Sequence, residues 1–80
     1  MPRMRVRLTF PPELIQEPIV YRLVKDFGIV PNIRRADVRA DHGWVVLELE
    51  ASQDKLEQGV DWLRKQGVTV DPIERDVVVP

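Results

Sequence analysis

The chain has 80 residues, with 12 basic and 13 acidic side chains and no cysteine. That length supports one small core, and the near-even charge balance gives no bulk drive toward nucleic acid or an anionic membrane. The missing cysteines exclude a disulfide scaffold, a thiolate nucleophile, a cysteine-ligated zinc site and an iron–sulfur cluster within these residues. The lone histidine, His42, cannot hold a metal by itself. No apolar run approaches the roughly 18 residues of a membrane span, and no signal-peptide pattern opens the sequence. A soluble, cytoplasmic protein without direct membrane insertion is expected.

Residues 4–10 alternate, with Met4, Val6, Leu8 and Phe10 on one side and Arg5, Arg7 and Thr9 on the other. Period two predicts a half-buried strand, which Pro11 and Pro12 end. Leu14 and Ile15 are expected to fold over the start of the next element as a hydrophobic lid. Residues 17–27 predict a helix, with Pro18 suited to its first position. Ile19, Val20, Leu23, Val24 and Phe27 form its apolar stripe, and Gly28 follows where a left-handed stop is favoured.

Residues 29–40 read as extended but irregular. Ala36, Val38 and Ala40 share one parity and Ile33 has the other, so burying Ile33 as well requires a bulge between Asn32 and Arg35. Asp41, His42 and Gly43 predict a tight turn, with Gly43 free to take a positive φ. The following strand is the clearest: Val45, Leu47, Leu49 and Ala51 face the core, while Trp44, Val46, Glu48 and Glu50 face away. Ser52 is a good N-cap, and Asp54 complements the helix dipole. Leu56, Val60 and Leu63 form the buried stripe of the second helix, with Gly59 beside it permitting close approach to the sheet. Lys65 and Gly67 stop that helix. Val68 and Val70 open a last strand that Pro72 ends.

The order β-α-β-β-α-β predicts a two-layer α+β sandwich. Its economical form is ferredoxin-like: an antiparallel four-stranded sheet in order 4-1-3-2, with both helices on one face and right-handed crossovers. The domain is assigned to residues 1–75, with 76–80 a tail that includes Val77, Val78 and Val79.

On the uncovered face, Arg5 and Arg7 are expected beside Glu48 and Glu50, with Arg35 and Arg39 beyond them. Such a ladder is chiefly cross-strand charge pairing. Trp44 and Val46 share this face and are assigned to an interface. Sheets that bind RNA stack bases on paired aromatics of strands 1 and 3. Here the first strand offers only Arg5, Arg7 and Thr9, so no nucleic-acid partner is expected. No Ser/His/Asp set is suggested. Asp37 with Asp41 has the chemistry to hold a cation, but two carboxylates on one loop are usually solvated. Neither a Cys-x-x-Cys metal loop nor a glycine-rich, arginine-bearing loop after the first strand is present. An enzyme, a cofactor and a metal site are therefore not expected.

An ordered set of features resembles the NIL domain. They are the Glu17-Pro18 helix start, Asp26-Phe27 at its end, Val30-Pro31-Asn32-Ile33-Arg34, Gly43 opening the central strand, Val60-x-Trp62-Leu63, and Gly67-Val68-x-Val70. The family takes its name from an Asn-Ile-Leu run; Asn32 and Ile33 match it, and Arg34 replaces the leucine. The resemblance implies a ferredoxin-like fold and two contexts. One is the C-terminal regulatory domain of methionine-import ABC transporter ATPases, where paired domains bind methionine and inhibit transport. The other is an N-terminal extension of four-iron ferredoxins, in which residues 71–78 look like the connector to the cluster domain.

The resemblance thus implies a non-catalytic, homodimeric module that senses a small ligand such as methionine. Asn32, Ile33 and Arg34 are its candidate ligand residues. An asparagine amide both donates to a ligand carboxylate and accepts from its ammonium. An apolar neighbour suits a thioether, and the charge of Arg34 argues against strict methionine specificity. In turn chemistry alone, Asn32 caps the turn after Pro31. The alternative is a docking module for a ferredoxin-type or transporter partner, with no small ligand.

Overall fold

The structure, a computed structural model, describes residues 2–73. The domain limit at 75 and the tail with Val77, Val78 and Val79 lie outside the described residues. The elements are β1 (Arg3–Phe10), a 3-10 turn (Pro12–Leu14), α1 (Ile19–Phe27), β2 (Val30–Val38), β3 (Gly43–Glu50), α2 (Gln53–Gln66) and β4 (Thr69–Pro72). The sheet runs β2-β3-β1-β4 with every pair antiparallel, the expected ferredoxin-like order read from its other edge.

The alternation of β1 and β3 is realised. Val6, Leu8, Leu47 and Leu49 are fully buried, and Leu23, Ile29, Leu56 and Leu63 meet them from the helix layer. Leu14 and Ile15 are half-buried against this core, as a lid over the start of α1. Gly59 lets the helices close on the sheet connection. A Cβ there would lie 2.5 Å from Ile29 Cδ1 and 3.1 Å from Leu23 Cδ1. Both helices end on left-handed glycines, Gly28 at φ 65° and Gly67 at φ 103°. Ser52 caps α2 by accepting from the Lys55 amide at 3.3 Å.

Three local expectations are corrected. α1 begins at Ile19, and Pro18 is its cap with ψ 59° rather than its first helical residue. A proline also pushes its predecessor out of the helical region, which removes Glu17. Gly43 does not take a positive φ. It is buried at the start of β3, where a Cβ would sit 3.0 Å from Ile15 Cδ1 and 3.4 Å from Val38 Cα, so tight space rather than backbone freedom favours glycine. Val24, placed in the apolar stripe of α1, is 39% exposed, because α1 lies at the β2 side of the layer and, among the described residues, no element is stacked on its outer flank.

Candidate functional site

The site expected on β2 depends on one irregularity. Ile33 pairs with Leu47 and Arg35 with Val46, leaving Arg34 as the extra residue of a bulge. Direct cross-strand neighbours share a face of the sheet. Asn32 lies opposite Glu48 and therefore faces the open side, as do Arg35 opposite Val46 and Asp37 opposite Trp44. Ile33 lies opposite Leu47, on the helix side with Ala36 and Val38. The bulge thus puts Ile33 in phase with Ala36 and Val38, yet leaves it 64% exposed, since the helix layer stops short of the sheet edge.

Glu48 is the electrostatic centre of the open face. Arg5 Nη2 donates to Glu48 Oε2 at 2.9 Å, and Arg3 Nη1 stands 3.8 Å from Oε1. Arg3 Nε also donates to Glu50 at 3.1 Å. The hydrogen bond from Arg5 holds the Glu48 carboxyl below the usual glutamate range; burial opposes it, and the charges of Arg5, Arg3 and Arg34 reinforce it. Arg34 therefore acts on the same carboxylate that Asn32 faces. The expected charge ladder is present one row earlier than drawn from sequence. Arg3 and Arg5 face Glu50 and Glu48, while Arg7 faces Val46.

The two interface residues diverge. The guanidinium of Arg7 stacks on the Trp44 ring at 4.7 Å, so this indole is half-buried under a side chain of its own sheet. Val46 is on the open face as expected but only 3% exposed, so in a single chain it offers no accessible contact. Its cross-strand neighbours on either side are Arg7 and Arg35, and long arginine stems can cover an apolar residue between them.

Two concavities flank these residues. One, about 430 Å³, opens beside Arg3, Arg5, Glu48 and Ile73. The other, about 230 Å³ and mainly apolar, lies between Phe10, Leu14, Ile15, Pro18, Tyr21 and Val38. Asn32, Ile33 and Arg34 line neither. Asp37 is engaged by Arg39 at 3.2 Å and Asp41 by His42 at 2.9 Å, so the two carboxylates are not brought to one cation. Among the described residues no group of three or more His, Asp or Glu side chains is placed to hold a metal. No helix among them is long and apolar enough to cross a membrane.

Sequence reasoning reached Asn32 and Arg34 but left Glu48 out of the ligand set. The signal was present in part, because the outward parity of β3 and the 4-1-3-2 order already set Glu48 beside β1. Only the bulge register sets it beside Asn32.

An antiparallel β2-β3-β1-β4 sheet with both helices on one face defines a ferredoxin-like α+β domain, here with a polar, arginine-rich open face. The NIL domain family matches residues 4–72, and the chain belongs to that family. Among solved structures, the C-terminal domain of an ABC transporter ATP-binding protein from Enterococcus faecalis is similar at TM-score 0.78 and 21% identity, over 91% of this chain and 86% of that one. The designed protein Ferredog-Diesel shares the fold at TM-score 0.55 and 18% identity, over 91% of this chain and 85% of that one. The designed protein Foldit4 does so at TM-score 0.55 and 10% identity, over 92% and 97%. No curated protein sequence matches the chain.

Proposed function

We propose that this domain is a non-catalytic regulatory module that works in pairs and senses a small amino acid, with methionine the first ligand to test. The observation that carries the reading is Asn32 standing opposite Glu48 on the open face, with the charge of Arg34 acting on that carboxylate. An amide that donates and accepts, a guanidinium and a carboxylate together match both ends of a zwitterion. Arg34 and the Asn32 amide N–H groups serve the ligand carboxylate. The Asn32 carbonyl and Glu48 serve its ammonium. Ile33, on the helix side of the strand, is exposed and suits the partner copy. Membership of the NIL family and likeness to a transporter ATPase domain support a regulatory role tied to transport.

Amide chemical shifts titrated with L-methionine, then with other amino acids, test the proposal. Saturable shifts centred on Asn32, Ile33 and Arg34 are expected. A hundredfold excess over the dissociation constant should add about 2.7 kcal/mol of stability by mass action. Asn32→Ala should remove both effects with little change in the unliganded melting temperature, because the side chain is exposed. An unfolded variant would make Asn32 a structural cap instead. A folded wild-type protein that ignores every amino acid would favour the docking reading, for which exposed Tyr21 and Val24 on α1 offer a contact surface.

A further inference from the structure

The charges of the open face do not cancel. Arg3, Arg5, Arg7, Arg34, Arg35 and Arg39 lie on it or at its β2 edge, against Asp37, Glu48, Glu50 and Asp71. Six arginines against four carboxylates leave two positive charges in excess, on a chain whose formal net charge is -1. The cations of this face are also of one kind, since the three lysines, Lys25, Lys55 and Lys65, all lie on the helices.

The excess is localised. Glu50 and Glu48 hold Arg3 and Arg5, Asp37 holds Arg39, and Arg34 acts on Glu48. Arg7 and Arg35 make no ion pair among the described residues. They stand on either side of Val46 in one row across the sheet, and two strand spacings put their Cα atoms about 10 Å apart. Asp71 is the residue opposite Arg7 on β4, yet the Arg7 guanidinium lies on the Trp44 ring instead, 4.7 Å from its centroid. Stacking on an indole fixes the plane of the guanidinium and leaves its in-plane N–H groups to a carboxylate, which they match in a two-pronged fork.

We infer that this row is a docking surface for an acidic protein partner. Arg7 and Arg35 each take a carboxylate of that partner, and Trp44 is a positioning residue that holds the Arg7 fork. The partner's chemistry follows from the shape and composition of the row. Small-molecule sites are concave, and neither concavity described above includes Arg7, Arg35 or Trp44. Arginine and tryptophan are enriched at protein interfaces and lysine is depleted there. A nucleic acid would need an aromatic face open to its bases, and Arg7 already lies on the Trp44 ring. The surface needs neither a small ligand nor the pairing of two copies.

The probe is a soluble oligoglutamate, titrated into the full chain carrying Trp62→Phe, which leaves Trp44 as the reporting indole. A saturable change in Trp44 emission is expected, with amide shifts centred on Arg7, Val46 and Arg35. Both should weaken with added salt, as the screening length falls from about 10 Å at 0.1 M to about 3 Å at 1 M. Arg7→Glu and Arg35→Glu should each raise the dissociation constant at least about fivefold, and together they should remove binding. Both side chains are exposed, so the melting temperature should hold. Arg7→Lys keeps the charge without the fork and should weaken binding less than Arg7→Glu; with Arg35→Glu it carries the test if Arg7→Glu fails to fold. Arg22→Glu, on the helix layer, should change nothing. Binding that survives R7E/R35E, or that falls equally with Arg22→Glu, overturns the location. A single-stranded oligothymidylate that binds as tightly as the oligoglutamate overturns the partner class. The absence of any saturable change up to millimolar probe overturns the docking surface itself, whatever methionine does to the amides around Asn32.

Discussion

Glu48 has one neighbour of opposite charge at hydrogen-bond distance and two more guanidiniums acting on it from Arg3 and Arg34. Its folded-state pKa is depressed, so its contribution to stability is present above the unfolded carboxylate value and is lost as pH falls through the folded one. Glu48→Gln should therefore flatten the acid limb of the denaturation midpoint plotted against pH. An acid limb unchanged in the variant would show that the Arg5 pair is too well solvated to matter. The register of β2 explains why one candidate ligand residue, Ile33, is separated from the others. Asn32 was legible as a polar residue on an irregular strand, but its face was not. Face depends on where the extra residue of the bulge falls, and Asn32, Ile33 and Arg34 all lie within two residues of that choice. Arg34 in place of a leucine then becomes a change of electrostatics beside Glu48 rather than a loss of apolar contact.

Elements here are held by packing more than by propensity, and their weak points show it. A glycine inside α2 lowers helix propensity, yet any side chain at position 59 must displace the fully buried Ile29. Gly59→Val should lower the melting temperature, with a loss of about 1–3 kcal/mol typical of overpacking. An equally stable variant would mean that Ile29 repacks freely. β3, like β1, has a neighbour on each side, and Leu47 on it is fully buried under the helices. Leu47→Asp would bury an unpaired charge there. The expected outcome is no cooperative fold, read as loss of dispersed amide resonances. A folded L47D chain would reverse the assigned parity of β3. Strands β1 and β3 were readable because both alternate strictly. β2 was readable only as an extended, irregular segment with a bulge between Asn32 and Arg35, because that bulge breaks period two and neither of its faces is well covered.

At the scale of the molecule, the single core predicts a single transition. Trp44 lies on the open face beneath Arg7, whereas Trp62 sits on α2 against Phe27, with ring centroids 5.7 Å apart. The two indoles therefore report opposite layers of the sandwich. Single-tryptophan variants Trp44→Phe and Trp62→Phe, compared at equal protein concentration, should unfold with coincident fluorescence and circular-dichroism transitions within each variant. Separate transitions would show that the helix layer melts independently of the open face. Equal concentration matters because a paired form makes the midpoint depend on protein concentration.

Much of this protein was determined by its sequence alone. The alternation of residues 4–10 and 44–51, the helical stripe around Leu56, Val60 and Leu63, and the stops at Gly28 and Gly67 are local, periodic signals. Burial then leaves few ways to stack four half-apolar strands under two amphipathic helices, and the β-α-β-β-α-β order selects the ferredoxin-like one. Tertiary structure decided what periodicity cannot carry. It set the cross-strand register that pairs Arg5 rather than Arg7 with a carboxylate, the cover that hides Val46 and half of Trp44, and the exposure of Ile33 at an edge the helices do not reach. It also set the crowding at position 43, where a side chain would press on Val38 and on Ile15, nearly thirty residues away in sequence. These are contacts between distant residues, and their geometry exists only once the sheet has closed.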